Sequence, residues 1–482
     1  METVLLIHPL DGIYNKIMPS TLPLALLSIA APLVKENYKV KIIDQRVNLE
    51  WKKTLKEALK ENPICVGITS MTGSQINFAL EASKIVKENS NVPVIWGGVH
   101  VSLFPKQTLK NKYIDIGIMK EGENTFLELI NTIKQKKSID KIKGIVYKKE
   151  GEIIITSERE FTDLNKLPKL PYYLVDMRKY VHKSFKQEKV IDIETSRGCP
   201  YACGFCYNSF YNKSNWRSMS PEKVIENLKI LINNYNIKSF YFIDDNFFAN
   251  QERANKIMNL IVSENLNIIF GCQGIRIDSL ERMTEDELNL LEKAGCKFMQ
   301  IGVESGSDRV LKLINKRITR EQVINVNKKL ANHNILVLYN FICGFPTETK
   351  EDLFQTTSLI HQILNDNKNA MAGPVYIYKH YPGTVLYDLA ISQGFKQPEN
   401  LEEWANFDWT RTSEFNQSKE MLKLFKKITI ASICIDDKIE SQSESFIYRT
   451  AAKIYKPIAR LRIKHNFYGF MPETFLLGNK IK

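Results

Sequence analysis

The sequence lacks an apolar run long enough to cross a membrane. Its longest apolar stretch, residues 22–34, contains two prolines and is shorter than the roughly 20 residues that a membrane-spanning helix needs. The first residues also lack the basic region and the small-residue cleavage site of a signal peptide, and they resemble a first strand. We therefore expect a cytoplasmic protein.

A disulfide framework is absent as well. The 482 residues include eight cysteines, of which three lie within eight positions and the other five are scattered singly. Disulfide-stabilised domains are small and dense in cysteine, whereas one tight group in a long chain is more typical of a metal site. The pattern favours a reducing compartment and one metal centre.

Acidic residues are outnumbered by basic ones. There are 67 Lys and Arg against 54 Asp and Glu, which gives a formal net charge of +13, and 44% of the residues are hydrophobic. This composition is ordinary for a folded chain, and the length predicts two or three domains. The positive charge is compatible with nucleic acid, an anionic membrane or an acidic substrate, and also with a bias in genome composition.

Strand-like and helix-like segments alternate in two regions, which predicts an α/β fold. The N-terminal region indicates a Rossmann-like, doubly wound parallel sheet. Six later β/α repeats indicate a partial (β/α)6 barrel, whose active site is expected at the C-terminal strand ends. The predicted domains are the Rossmann-like domain at 1–140, a hairpin and linker at 141–185, the barrel at 186–399 and a mainly helical C-terminal domain at 400–482.

The cysteine group has the spacing of an iron–sulfur site. Cys199, Cys203 and Cys206 form a C-x3-C-x2-C loop directly after the first predicted barrel strand. Three thiolates can hold three irons of a cubane and leave the fourth iron open. A structural zinc ion would need a fourth ligand nearby, and His182, seventeen residues upstream, is poorly placed to be one.

This motif, with Phe205 as the aromatic residue before the third cysteine, resembles the signature of the radical S-adenosylmethionine (SAM) superfamily. The resemblance implies a [4Fe–4S] cluster whose open iron is chelated by the amino and carboxylate groups of SAM. It also implies that an external one-electron donor drives cleavage of SAM to a 5′-deoxyadenosyl radical, which abstracts hydrogen from an unreactive carbon.

Residues at later strand ends extend this resemblance. In the family, the second barrel strand contacts the SAM amino group, the fourth binds the ribose or methionine part, and the fifth backs the adenine. Asn340 replaces the first glycine of the family's fifth-strand motif. The residues implied to bind SAM are Phe205, Asp244, Asp245, Glu304, Ser305 and Gly344.

The N-terminal region resembles the cobalamin-binding class of radical SAM enzymes. A glycine pair there would let the backbone approach a large ligand. The D-x-H-x-x-G motif that supplies a cobalt-ligating histidine in many cobalamin proteins is missing, and the first loop begins with His8 instead. Either cobalamin binds without a histidine ligand or it does not bind. The residues implied to bind cobalamin are Thr69, Ser70, Gly97, Gly98, Glu121 and Gly122.

Two C-terminal features each allow two interpretations. Aromatic residues at and after the sixth barrel strand predict either a substrate pocket or packing at the barrel rim. The basic, amphipathic segment 445–465 predicts either a helix packed on the barrel with a solvated basic face or a peripheral membrane contact. The candidate substrate residues are Tyr376, Tyr378, His380 and Tyr381.

The leading hypothesis is a cobalamin-dependent radical SAM enzyme that methylates an unactivated carbon of a small or lipid-like molecule, without a nucleic-acid partner. The alternatives are an oxidative cyclase of the anaerobic magnesium-protoporphyrin ester type and a non-enzymatic corrinoid or iron–sulfur carrier or sensor. A tRNA methylthiolation enzyme is disfavoured, because its N-terminal domain would need three further cysteines and contains only Cys65.

Overall fold

The protein consists of two compact units in the computed structural model. One unit comprises Met1–His182 and Lys396–Arg411, and the other comprises Lys183–Phe395 and Thr412–Lys482. The structure describes residues 2–12, 19–184, 188–407, 418–433, 435 and 446–471.

The first unit is built on a seven-stranded sheet with the order β2-β1-β3-β4-β5-β6-β7. Neighbouring strands from β2 to β5 pair in parallel, and β6 and β7 add an antiparallel hairpin. The strands are β1 (Thr3–His8), β2 (Lys39–Asp44), β3 (Cys65–Thr69), β4 (Val94–Gly97), β5 (Ile116–Ile118), β6 (Ile145–Lys149) and β7 (Glu152–Ile155). The helices are α1 (Leu24–Lys35), α2 (Trp51–Leu59), α3 (Gln75–Asn89), α4 (Val99–Leu103), α5 (Pro105–Leu109) and α6 (Glu123–Lys134).

Apolar runs explain the position of the central strands. The side chains of β1 from Val4 to Ile7 are fully buried, as expected for a parallel strand that is covered on both faces. Glu150 and Gly151 both have positive φ, which suits the tight turn between β6 and β7. The predicted Rossmann-like sheet is confirmed, and its strand order reverses at β1, so the expected ligand position is the C-terminal edge of β1 and β3.

The second unit contains the predicted partial barrel. Six strands, β9 and β12 to β16, run parallel in chain order, and β8 extends the sheet at the β9 edge. The strands are β8 (His182–Lys183), β9 (Lys189–Ile193), β10 (Ser196–Arg197), β11 (Arg217–Ser218), β12 (Ser239–Phe242), β13 (Ile269–Ile275), β14 (Cys296–Glu304), β15 (Leu336–Cys343) and β16 (Ala370–Ile377). The helices up to the end of the barrel are α7 (Asn208–Tyr211), α8 (Pro221–Tyr235), α9 (Gln251–Ser263), α10 (Ile277–Arg282), α11 (Glu285–Lys293), α12 (Asp308–Leu313), α13 (Arg320–Leu330), α14 (Lys350–Asp366) and α15 (Val385–Ser392).

The described part of the C-terminal region is helical, as predicted. It forms α16 (Leu401–Trp404), α17 (Lys419–Ile433) and α18 (Phe446–His465). Helix α17 packs on β16, and α18 packs on both α14 and α17. No helix in the described residues has the combined length and hydropathy of a membrane span.

Candidate active site

The three predicted cluster ligands lie on one loop after the β10 strand. Cys203 is buried, and Cys199 and Cys206 are half-buried. Within the described ranges, no three His, Cys, Asp or Glu side chains lie close enough to share one metal ion. Three thiolates on one loop can each hold a separate iron of a cubane. The placement of the three cysteines on one loop therefore fits a cluster.

Asn208, at the start of α7, holds this loop in place. Its side-chain oxygen accepts a hydrogen bond from Cys199 N at 3.0 Å, and its amide donates to Cys199 O at 2.6 Å and to Tyr201 O at 3.2 Å. Gly198 has a φ of +81°, and a Cβ at this position would lie 2.2 Å from Asn215 O. The loop is therefore shaped by the chain itself.

Two nitrogen donors approach the cysteine sulfurs. Asn246 Nδ2 lies 3.5 Å from Cys199 Sγ, and Arg276 Nη1 lies 3.7 Å from Cys203 Sγ. Hydrogen bonds to the sulfurs are one of the features that set the potential of an iron–sulfur cluster. Sequence reasoning missed both residues, although each follows a barrel strand where functional side chains are expected.

Arg276 is a buried cation with several partners. Its guanidinium lies 3.6 Å from the centroid of the Tyr201 ring, donates to Asp278 at 2.8 Å and donates to Lys316 O at 2.6 Å. These contacts fix its direction toward the cysteine loop.

Burial raises the pKa of the Cys206 thiol to about 12, so cluster assembly must displace a proton there.

The two adjacent carboxylates of the predicted SAM site have different surroundings. Asp244 is buried and accepts hydrogen bonds from Thr195 N at 2.7 Å, from the Thr195 hydroxyl and from the Ser196 hydroxyl at 2.6 Å. Asp245 is exposed and accepts one hydrogen bond, from Gly198 N at 2.9 Å. Asp245 is therefore better placed than Asp244 to meet the SAM ammonium.

Glu304 ends β14 and forms a buried ion pair. Its Oε1 lies 2.7 Å from Lys316 Nζ, and its φ is +74°, an uncommon value for a residue other than glycine. Gly302 leaves the room for this carboxylate, because a Cβ there would lie 2.4 Å from Glu304 Oε1. Lys316, which the sequence did not identify, also lies 5.9 Å from the centroid of the Phe205 ring.

Ser305 and Gly344 take part in internal contacts of the barrel. The buried Ser305 hydroxyl lies 3.2 Å from Thr356 Oγ1 and accepts from Ser307 N at 3.1 Å. Gly344 has a φ of +84° and donates its N–H to the Glu348 carboxyl, whose pKa burial raises to about 8. Both residues shape the strand ends around the predicted SAM site.

The aromatic group at and after the end of β16 divides into two pairs. Tyr376 and Tyr381 are exposed, whereas Tyr378 and His380 are buried. The Tyr378 ring lies 5.1 Å from Phe345 and 4.9 Å from His380, and burial lowers the pKa of His380 to about 4. The buried pair packs at the rim, and the exposed pair is accessible to a substrate.

The predicted cobalamin face lies at the C-terminal edge of the first sheet. A Cβ on Gly97 would meet no atom within 4 Å, so this strand end has open space beside it. Thr69 is half-buried and Met71 is exposed at the end of the neighbouring strand. This edge combines room, a hydroxyl and an apolar side chain, and it therefore fits a large corrinoid.

The other predicted cobalamin residues have internal contacts. A Cβ on Gly98 would lie 2.4 Å from Ser70 O, and the Ser70 hydroxyl donates to Gly97 O at 3.2 Å. Glu121 accepts a hydrogen bond from a backbone N–H at 2.8 Å, and Gly122 faces a side chain of α1. The room attributed to both glycines is therefore found at Gly97, whereas Gly98 allows close backbone packing.

Neither histidine of this edge is charged at neutral pH. His8 Nδ1 lies 3.0 Å from Pro9 O, and desolvation lowers its pKa to about 4. His100, which the sequence analysis did not assign to the site, lies with Nδ1 3.0 Å from Thr72 Oγ1, and burial lowers its pKa to about 3. The backbone contact of His8 is consistent with the expectation that it does not bind cobalt.

The two units match two family models. The Radical SAM superfamily model matches residues 193–360, and the B12 binding domain model matches residues 12–130. An uncharacterized methyltransferase of Pyrococcus horikoshii is 32% identical over 436 residues, which cover 89% of this chain and 92% of the relative. The chain belongs to the cobalamin-binding radical SAM superfamily. Its cofactors are a [4Fe–4S] cluster, SAM and cobalamin.

A curated protein named for a cyclase reaction and a solved structure are also similar to this chain. The anaerobic magnesium-protoporphyrin IX monomethyl ester cyclase of Synechocystis is 26% identical, with 74% of this chain and 71% of the cyclase covered. The cobalamin-dependent SAM radical enzyme OxsB with aqua-cobalamin has a TM-score of 0.77 and 20% identity, and the match covers all of this chain and 75% of OxsB. The structural likeness supports the fold.

The cluster assignment predicts that replacing Cys199, Cys203 or Cys206 with Ala abolishes the broad iron–sulfur absorbance and the formation of 5′-deoxyadenosine, because each thiolate holds one iron. Iron content and absorbance after anaerobic reconstitution measure the effect. Cys65→Ala is the control, since Cys65 is buried in the other unit. A full-strength cluster in the triple variant would refute the assignment. We also expect Cys434→Ala to leave the cluster intact; Cys434 lies outside the described residues.

The different surroundings of the paired acids predict different losses. Asp245→Asn should weaken SAM binding roughly tenfold or more, since a hydrogen bond to a charged group contributes about 1.5–3 kcal/mol, and should leave iron content unchanged. Asp244→Asn should reduce iron content and melting temperature, because an amide cannot accept all the bonds that now hold the loop. Calorimetric SAM titration, together with iron content, distinguishes the two variants. Equal SAM affinity in Asp245→Asn and the wild type would place the ammonium elsewhere.

The two glycines of the cobalamin face provide a matched pair. Gly97→Val should exclude cobalamin by filling the open space, with little change in melting temperature. Gly98→Val should unfold the unit more easily, because a positive φ and the Ser70 backbone oppose a side chain at a cost of about 1–3 kcal/mol. Corrinoid absorbance after reconstitution and thermal melting measure these effects. Normal corrinoid content in Gly97→Val would show that the ligand binds away from this strand end.

Proposed function

We propose that this enzyme transfers a methyl group to an unactivated carbon of a small or lipid-like molecule. The observation that carries the proposal is the presence in one chain of a three-cysteine barrel loop and a sheet edge with room for a corrinoid. When bound, the cluster and SAM would supply radical chemistry, and cobalamin would supply methyl-transfer chemistry.

The barrel residues orient SAM at the cluster. Asn208 and Gly198 shape the cysteine loop, and Asp245 offers a carboxylate oxygen to the SAM ammonium. The Glu304–Lys316 pair places opposite charges beside the Phe205 ring, where both can meet polar groups of SAM. The charges are held by the fold, so they need little rearrangement when SAM binds.

The aromatic residues favour an apolar substrate. Tyr376 and Tyr381 are exposed at and after the last barrel strand, and Tyr207 is exposed next to the third cysteine of the cluster loop. Aromatic rings cover apolar surface, and tyrosine hydroxyls add a few directed polar contacts. This composition suits a substrate with an extended carbon skeleton. We expect an external one-electron donor to supply the electron.

An oxidative cyclase is the second candidate. The Synechocystis cyclase aligns with 74% of this chain, which is why the alternative is kept. Both reactions would use the same cofactors. The methyltransferase similarity is higher in identity and in coverage, and it favours methylation. A carrier or sensor would not need polar residues at successive barrel-strand ends.

The reconstituted enzyme is incubated with a chemical one-electron reductant, SAM with a trideuterated methyl group, and a metabolite and lipid extract. It should yield a product that carries the intact labelled methyl group. Mass spectrometry detects it, and the Asp245→Asn variant is the control for dependence on the SAM site. A new unlabelled product together with 5′-deoxyadenosine would favour the cyclase. A fully loaded protein that never forms 5′-deoxyadenosine would contradict both enzymatic candidates and support a carrier.

A further inference from the structure

The outer face of α18 is apolar. Ile454 is 73% exposed, Ile458 is 49% exposed and Leu461 is 58% exposed. Their spacing of four and three residues places them on one side of the helix. Ala459 and Ile463 are buried on the inner side, where α18 packs on α14 and α17. The expectation of a solvated basic outer face is therefore incomplete, because apolar side chains occupy its centre.

Two aromatic side chains follow the helix. Phe467 is 54% exposed and Phe470 is 75% exposed. Single exposed apolar residues are common on protein surfaces, but large ones in regular succession indicate an interaction site. We call these five side chains the apolar face; its members are Ile454, Ile458, Leu461, Phe467 and Phe470.

Positive charge borders the apolar face. Lys453 and Lys464 are exposed, and Arg460 is half-buried. The segment 446–471 contains no Asp or Glu. The charge also acts on His361 of α14, whose pKa is lowered by desolvation and then by Lys464 and Arg460. A partner of this surface must combine an apolar layer with negative charge.

We propose that the apolar face and its basic border dock the protein onto an anionic phospholipid bilayer. A helix of this kind lies in the plane of the interface, with its apolar side chains among the acyl chains and its cations at the lipid phosphates. Basic side chains alone would suit other polyanions, but the large exposed aliphatic and aromatic side chains favour a lipid layer. One such surface gives reversible attachment.

The test is co-sedimentation of the full-length, cluster-loaded protein with vesicles. Vesicles of phosphatidylglycerol and phosphatidylcholine in equal parts should bind the wild type at least roughly tenfold more tightly than vesicles of phosphatidylcholine alone. The reason is that each Lys or Arg near an anionic surface raises the binding constant about fivefold. The triple variant Ile454→Ser, Ile458→Ser, Leu461→Ser should lose at least roughly tenfold in partitioning through lost apolar burial. The double variant Lys453→Glu, Lys464→Glu should lose the preference for anionic lipid.

Leu49→Ser is the matched control, since Leu49 is 97% exposed but lies in the other unit. It should bind vesicles like the wild type. All variants should keep their melting temperature, iron content and 5′-deoxyadenosine formation, which separates this proposal from the proposed reaction. Wild type that does not bind anionic vesicles, or a triple variant that binds them like the wild type, would overturn the proposal. If the wild type does not bind vesicles but forms a dimer that the triple substitution dissociates, the partner of the apolar face is a second copy of this chain.

Discussion

The geometry of the cysteine loop depends on the buried carboxylate of Asp244. Its oxygens accept the Thr195 N–H and the hydroxyls of Thr195 and Ser196, so the end of β12 is tied to the segment that leads into the loop. An ionised carboxylate is costly to bury unless hydrogen bonds replace its water. Here three donors do so in part, because desolvation still raises the pKa of the Asp244 carboxyl. The same bonds fix the approach of the chain to the first cysteine.

A second group of buried charges also contacts the loop. Glu304 pairs with Lys316, whose backbone oxygen accepts from Arg276, and Arg276 in turn approaches Cys203 Sγ. Buried ion pairs contribute little net stability, because desolvation offsets their attraction. Under the proposed function their value lies in preorganisation, because the fold fixes these charges before a charged cofactor binds. The positive φ of Glu304 is a local strain held by that network.

The sequence predicted the features that depend on local chemistry. Both cofactor domains were identified from the C-x3-C-x2-C spacing, the alternation of strands and helices, and the polar residues at strand ends in the sequence. It could not separate Asp244 from Asp245, because neighbouring residues at a strand end point in different directions and only the fold decides which one is buried. For the same reason it treated Gly97 and Gly98 alike, although one borders open space and the other lies against Ser70. Asn208, Arg276 and Lys316 were missed because they act through contacts distant in sequence or through the loop's own backbone.

The same distinction applies to the C-terminal helix. Its sequence periodicity indicated two faces, but the partner of each face depends on where the rest of the chain packs. Ala459 and Ile463 turn toward α14 and α17, so the remaining apolar residues are left outside. A helix that only covered the barrel would need one apolar side. This helix has a second apolar side bordered by cations, whose side chains are exposed. Exposed apolar surface of this kind is typical of an interaction site, which is why we propose a lipid layer as its partner.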